Sequence, residues 1–318
     1  MLAQYADHPS LSVRGQLAWG WERFDTREYG DRVIARMPYR DGLRFIAKTP
    51  DQLAYLAGLG GRPSVECSGS FTDEQLRTLP REPLEAFRLH ENPLPVDLSW
   101  LADCPELAEV QLINCSGEMD LRLLTRLGLE RLVLAECPGL RSVGSLAEAG
   151  TLRRLRLGAV ENYASTPVTE LALPPSLESL HVYAPVQVTG LDRCRALARV
   201  RFEGQYLERE LWEQLGQLPR LEQLSLFRQS AAALSARPPL PSVRELRLYQ
   251  PLLSQGLDVL PQLFPGLERL RLVLPPEGEP VDLDVLSGLH GCEVEYLTDE
   301  SWSALSRPWP TATRLVIP

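Results

Sequence analysis

The sequence predicts an α/β solenoid: a curved parallel β-sheet laid down one strand per repeat, with short helices or irregular turns on its convex side. Three observations carry this expectation. The pattern L-x-x-L-x-L returns along the chain as Leu84-Phe87-Leu89, Leu107-Val110-Leu112, Leu129-Leu132-Leu134, Leu152-Leu155-Leu157 and Leu177-Leu180-Val182, and again as Leu197-Val200-Phe202, Leu221-Leu224-Leu226, Val243-Leu246-Leu248 and Leu267-Leu270-Leu272. The central strand positions run from Phe45 to Leu315 in twelve intervals, about 22.5 residues each, inside the period of roughly 20–29 residues that builds one strand and one return per coil. The first forty residues do not share the repeat.

Those first forty residues read as a helical cap, and residues 41–318 as a solenoid of about 13 repeats. Pro9 to Phe24 is expected to be helical, with Val13, Leu17 and Trp21 on one face. Asp25 can cap a second helix, and Glu28 sits three residues on, where its side chain can reach back to the free backbone N–H. Tyr29, Val33 and Met37 then line its inner face. A solenoid needs such a cap because the first coil would otherwise expose its apolar end to water.

The array opens with a strand at Phe45 and Ala47. Thr49-Pro50 starts a helix carrying Leu53, Leu56 and Leu59, which Gly60-Gly61 ends. Val65 and Cys67 mark the second strand, and Thr72 with Gln75 caps a further helix carrying Leu76 and Leu79. The remaining central positions are Phe87, Val110, Leu132, Leu155, Leu180, Val200, Leu224, Leu246, Leu270, Val294 and Leu315. Insertions fall between strands, where a loop absorbs them. The last of these, in Thr313–Pro318, reads as a strand with no helix after it in the sequence, and Trp302 and Trp309 are candidates to fold back over it.

From about residue 41 onward the chain resembles a leucine-rich-repeat array. The resemblance implies a ladder of Asn or Cys side chains bonding turn carbonyls, filled here by Asn92, Cys115 and Cys137. Val160, Pro185, Gln205, Gln229, Pro251 and Pro275 depart from it, which implies irregular turns in the second half. Equivalent placement of Cys115 and Cys137 would allow a disulfide, but buried reduced thiols are the reading the family implies. The stretch Tyr5-Ala6-Asp7-His8-Pro9, Val13-Arg14, Trp21-Glu22-Arg23-Phe24-Asp25, Tyr29 and Val33 is similar to helices that precede the C-terminal repeats of actinobacterial NACHT-type NTPases, bacterial relatives of NOD-like receptors. That resemblance implies a sensor arm, or a free-standing copy of one, beside an NTPase or effector module.

Composition narrows the function classes. A net charge of -9 argues against nucleic acid as a partner, and against membrane surfaces. No stretch approaches the ~18 apolar residues of a membrane span, and the first residues do not read as a secretory signal, so a cytoplasmic location is expected. The sequence holds no phosphate-binding Gly-Lys-Ser/Thr loop, G-x-G-x-x-G, H-E-x-x-H or G-x-S-x-G. His8, His90, His181 and His290 share no pattern, and the six cysteines show no zinc spacing. Neither catalysis nor a metal or cofactor is expected.

The concave face of the sheet carries the chemistry. One outward column reads Glu66, Arg88, Gln111, Val133, Arg156, His181, Arg201, Ser225, Arg247, Arg271, Glu295, Val316. On its N-terminal side stand Arg131, Arg154, Arg199 and Arg269 among Glu109, Glu245 and Glu293; on the other stand Ile113, Tyr183, Phe227, Tyr249, Val273 and Leu297. Arginine and tyrosine are the residues binding hot spots favour. The expectation is a recognition module whose face of Arg131, Arg154, Arg156, Arg199, Arg201, Arg247, Arg269 and Arg271, with Tyr183, Phe227 and Tyr249 alongside, grips a protein with an acidic surface. Arg156, Arg201, Arg247 and Arg271 show no acidic neighbour within their own column. The alternative is a constitutive scaffold that binds through its ends or convex side. An enzyme with a repeat arm is disfavoured, since no segment remains to house a catalytic domain.

Overall fold

The computed structural model describes residues 2–38, 42–116, 121–137, 144–158, 170–183, 187–203, 207–227, 234–249, 257–274, 289, 292–298 and 313–316. The chain forms two compact units, Met1–Leu152 with Arg156–Val168, and Arg153–Leu155 with Thr169–Pro318.

The first unit begins with a helical cap: α1 (Leu11–Trp19), a 3-10 turn (Gly20–Arg23) and α2 (Thr26–Arg32). The expected single helix over Pro9–Phe24 is therefore interrupted at Gly20. The tighter turn swings Trp21 inward, and the inner face of α1 becomes Arg14 and Ala18, with Val13 and Leu17 only half-buried. The Asp25 carboxylate accepts from the backbone N–H of Arg27 at 3.0 Å and of Glu28 at 2.8 Å. Glu28 turns away from the expected reciprocal bond and pairs with Arg32 at 2.8 Å. Tyr29, Val33 and Met37 are buried as expected.

Three contacts fix the cap. The Trp21 indole N–H donates to the Thr26 carbonyl at 3.1 Å, and the Tyr29 hydroxyl to the Leu17 carbonyl at 3.0 Å. The Tyr55 hydroxyl, on α3 (Pro50–Gly58), donates to Asp31 at 2.7 Å. The Tyr55 ring lies so close to Gly30 that a Cβ there would stand 2.5 Å from ring carbon Cζ, so this crossing requires glycine. Lys48, the sole lysine, pairs with Glu22 at 2.6 Å and lies 4.9 Å from the Trp19 ring centre.

Five strands of the first unit pair in parallel and in chain order: β1 (Phe45–Ala47), β2 (Ser64–Ser68), β3 (Ala86–His90), β4 (Glu109–Ile113) and β5 (Arg131–Ala135). The register aligns Phe45, Val65, Phe87, Val110 and Leu132, the central positions of the repeat. The returns are α3, whose Thr49 hydroxyl accepts from the Gln52 N–H at 3.2 Å, and α4 (Asp73–Leu76), where Thr72 and Gln75 bond each other's backbone reciprocally. Later returns are 3-10 turns at Leu98–Asp103, Leu121–Arg126 and Gly144–Glu148. β6 (Arg154–Gly158) falls at the division of the two units.

The second unit repeats the plan. β8 (Ser179–Tyr183), β10 (Arg199–Phe202), β11 (Gln223–Phe227), β12 (Glu245–Tyr249), β13 (Arg269–Leu274) and β14 (Glu293–Thr298) pair in parallel, aligning Leu180, Val200, Leu224, Leu246, Leu270 and Val294. Two short strands, β7 (Glu170–Ala172) and β9 (Gln187–Thr189), form a separate parallel pair, and α5 (Arg209–Gly216) and α6 (Leu260–Leu263) serve as returns. One expectation fails. Leu315 does sit opposite Val294, but β15 (Thr313–Val316) runs antiparallel, so it does not continue the series of parallel coils. An alternating pattern reads the same in both directions, which is why sequence could not supply the sense. Trp302, Trp309 and His290 lie outside the described residues, as do the six positions expected to depart from the ladder.

Among the residues whose side chains are described, the inward L-x-L positions are buried, and each contributes roughly 1.5–3 kcal/mol against the entropy of ordering its coil. The strand-to-return corner is equally regular. Gly69, Glu91, Asn114 and Glu136, each directly after a strand, all have positive φ, near +50° in the three non-glycine cases. After this kink comes the ladder residue. Asn92, fully buried, accepts from the Phe71 N–H at 2.9 Å and donates to the Leu94 carbonyl at 3.3 Å. The Cys115 thiol donates to the Leu89 carbonyl at 3.3 Å and the Cys137 thiol to the Ala135 carbonyl at 3.2 Å; both are free thiols. Burial pushes the thiols of Cys104, Cys194 and Cys292 up to about 11, so they remain protonated donors.

Neighbouring residues in this corner should respond in opposite directions. Asn92→Ala strands the buried Phe71 N–H and should cost about 1–3 kcal/mol in chemical denaturation. Glu91→Gly relieves a left-handed residue, and its midpoint should stay level or rise by up to ~1 kcal/mol.

Candidate functional site

In a parallel register each outward residue stands about 5 Å from its equivalents on adjacent strands. Side chains of like charge therefore stack, unless something neutralises them. In the first unit Glu109 does so from the column N-terminal to the centre. It accepts from Arg88 on β3 at 2.5 Å and from Gln111 on its own strand at 2.6 Å, and pairs with Arg131 on β5 at 3.5 Å. Arg88 also donates to the Ser64 hydroxyl at 2.7 Å. Nearby, buried Glu66 pairs with Arg44 at 2.8 Å and with His90 at 3.4 Å. Burial raises the Glu66 pKa, but His90, Arg44 and Arg88 outweigh that and leave it below the usual carboxylate range.

The second unit repeats the device on a larger scale. Glu245 stands in the position of Glu109, with its side chain 5% exposed. It accepts from Arg247 through two guanidinium nitrogens at 2.8 and 2.7 Å, and pairs with Arg269 at 3.5 Å and Arg271 at 3.7 Å. Arg271 is shared onward with Glu295 at 2.6 Å. Glu203, also buried, binds the Arg201 Nε–H and lies 3.2 Å from the His181 ring nitrogen. The Arg201 guanidinium crosses β11 to stand 4.5 Å from the Tyr249 ring centre and 5.9 Å from that of Tyr183, which in turn packs on His181 at 4.2 Å. Cation–π contacts of this kind hold a guanidinium over a ring at roughly 0.5–2 kcal/mol.

These pairings correct the expectation that Arg201, Arg247 and Arg271 carry uncompensated charge. The acids of Arg201 and Arg247 stand in the flanking columns, whereas Arg271 meets Glu245 from a flanking column and Glu295 from its own, so for Arg271 the expectation of no acid within its column is also corrected. Arg247 and Arg271 keep about a third of their side-chain surface exposed, and Arg269 half, so the charges are held from beneath and still reach solvent. Arg199 is exposed, and among the described residues it has no ion-pair partner.

The register brings Tyr183, Arg199, Arg201, Phe227, Arg247, Tyr249, Arg269 and Arg271 onto one face of the second unit. Phe227 is buried there and supports Tyr249 at 6.3 Å instead of presenting its ring to a ligand. Arg131 belongs to the face of the first unit; Arg154, which is exposed, and Arg156, which is half-buried, lie on β6. Sequence reasoning passed over two residues. Glu203 occupies the same column as Tyr183 and Phe227, and its place after Val200-x-Phe202 was legible. Ser225 was read as one more column residue. Between Arg201 and Arg247 it leaves a hollow of about 180 Å³, open to solvent and lined by Arg199, Arg201, Gln223, Ser225, Glu245 and Arg247.

This arrangement positions hydrogen-bond donors and fixed charge. Among the described residues no group of three His, Cys, Asp or Glu is placed to hold a metal, and no helix is long and apolar enough to cross a membrane. No protein-family profile matches the chain, and no curated protein matches it. Among solved structures it is similar to an internalin from Listeria monocytogenes, at 17% identity over 81% of this chain and 79% of that one, with a TM-score of 0.40. It is also similar to a leucine-rich-repeat protein from Leptospira interrogans, at 16% identity over 83% and 81%, with a TM-score of 0.41. The stacked coils, their aligned L-x-L cores and their Asn and Cys ladder make the fold itself a leucine-rich-repeat solenoid.

Burial raises the Glu245 carboxyl, but the bonds from Arg247 and the charges of Arg247, Arg271 and Arg269 hold it below the ordinary carboxylate range. Its stabilising contribution is complete above the unfolded value of about 4.3 and is lost as pH falls through the lower folded value. Glu245→Gln should cost about 1.5–3 kcal/mol at pH 7 and flatten the loss of stability below about pH 4, read from denaturation curves across pH.

Proposed function

We propose that the chain is a recognition module without catalysis of its own, which binds an acidic protein surface on the open sheet face of its second unit. One observation carries this reading. Arg201, Arg247 and Arg271 are braced by buried Glu203 and Glu245 while their outer surfaces remain in solvent, beside Tyr183, Tyr249 and Arg199, which has no ion-pair partner among the described residues. Bracing removes part of the ordering cost that long side chains otherwise impose on binding. A cationic face on a chain of net charge -9 also orients an acidic partner toward that face and away from the rest.

The likeness of residues 1–40 to the helices preceding the repeats of NACHT-type NTPases supports a setting for this module: the sensing arm of a bacterial NOD-like-receptor-related antiphage system. The ligand is then a foreign protein, an NTPase or effector is the neighbouring module, and the location is cytoplasmic. A second reading, a scaffold binding through its ends, is favoured by one feature. The large apolar side chains exposed among the described residues (Leu2, Tyr5, Leu11, Trp19 and Phe24) all lie in the helical cap.

Two variant pairs separate the readings. Arg199→Glu with Arg269→Glu reverses two exposed charges; because Arg269 is also a partner of Glu245, Arg199→Glu alone is run beside it as the variant that leaves both buried glutamates with all their partners. The arginine pair should lower partner capture by more than ~10-fold under the first reading, whereas Trp19→Ser with Phe24→Ser should do so under the second. Quantitative pull-down from the native host, with folding checked by circular dichroism, decides between them. Retention of full binding by the arginine pair would remove the sheet face from consideration.

A further inference from the structure

We propose that the hollow over Ser225 is a seat for one carboxylate side chain of an extended acidic peptide. The proposal rests on the binding reading above and specifies the chemistry of its contact point.

The column places Ser225 directly between Arg201 and Arg247 on adjacent strands. A long side chain here would fill the space that the two arginines leave. Serine, only half-buried, leaves it open and lines its floor with a short polar side chain. Arg201 forms one wall by crossing β11 toward the column of Glu203 and Tyr249. Its Nε–H is committed to Glu203 and its guanidinium lies over Tyr249, two strands on, so that the space above Ser225 stays clear on the side facing Arg199 and Gln223.

Three groups in the lining can donate to a carboxylate. Among the described residues, the Ser225 hydroxyl, the Gln223 amide and the Arg199 guanidinium have no side-chain partner. Around them Arg201 is held by Glu203, which also meets His181 on the wall of the hollow, and Arg247, Arg269 and Arg271 are held by Glu245, with Arg271 shared onward with Glu295. Arg199 is the lining arginine that has no acid among the described residues, and one added negative charge would supply it. A dianion such as a phosphoryl group would bring a second negative charge toward buried Glu245, and a neutral amide would leave Arg199 without a counter-charge. A volume near 180 Å³, open to solvent, is enough for a carboxylate and its methylenes. An extended peptide crossing the face turns alternate side chains toward it, so that one of them can enter the hollow.

Ser225→Glu tests the seat without any knowledge of the natural partner. The introduced carboxyl should titrate at about pH 3, below the ordinary value of about 4.3, by carbon-detected NMR. Adding Arg199→Ala should move it back upward. Titration at or above about 4.3 overturns the proposal, because the hollow then disfavours a carboxylate.

A second measurement uses three acetylated, amidated pentapeptides with Glu, Gln or phosphoserine at the centre of four alanines, followed by backbone and arginine side-chain NMR shifts. The Glu peptide should shift the signals of Ser225, Arg199 and Gln223 saturably, and at least ~3-fold more tightly than the Gln peptide. Equal response to Glu and Gln, tighter binding of phosphoserine, or no response to any of the three overturns the proposal. In the pull-down, Ser225→Glu fills its own seat and should abolish capture. If Arg199→Glu with Arg269→Glu removes capture while Ser225→Glu does not, the binding face stands and the seat falls.

Discussion

The parallel register governs everything else in this molecule. Once Leu180, Val200, Leu224, Leu246 and Leu270 stack inward, the residues between them are forced into straight outward columns. A chain whose cations are almost all arginine then has to place guanidiniums about 5 Å apart, where like charges repel. The fold resolves this with a small number of buried acids. Glu109 gathers Arg88 and Arg131 from the strands on either side of it, and Glu245 gathers Arg247, Arg269 and Arg271.

Burying a carboxylate is unfavourable in isolation, and a single partner seldom offsets that cost. Glu245 is tolerated because it has three. Each arginine in turn keeps an outer edge in water, so the charges are incompletely desolvated and the geometry is fixed by two hydrogen bonds from Arg247. The recognition face and the stability of the sheet therefore rest on the same few side chains. Arg199 differs from its neighbours: it is exposed, has no ion-paired acid among the described residues and can be altered without unbalancing the sheet.

Most of the sheet was readable from the chain. The aligned positions Phe45, Val65, Phe87 and Val110 follow directly from L-x-L alternation, because a slip of one residue would turn every leucine outward. The caps at Asp25, Thr49 and Thr72 were readable for the same reason: the bonding is local. Features set over longer range were not. The rotation of α1 depends on how a 3-10 turn at Gly20 packs Trp21 against Tyr55, which is 34 residues away in sequence. The direction of β15 is invisible to a pattern that alternates identically both ways. The site was half-legible. Columns can be written down from the sequence, but an arginine reaches across strands, and so Arg201 finds Tyr249 and Glu203 where a column shows only His181 and Ser225.

The single lysine has a chemical corollary. Lys48 sits in the cap region, tied to Glu22 and lying over Trp19, and the sheet face has no lysine at all. Acetylation, ubiquitin transfer to a side chain or amine-directed crosslinking can mark only that one lysine. The arginine face is open instead to dicarbonyl reagents such as phenylglyoxal, and protection from them on mixing would footprint whatever docks there.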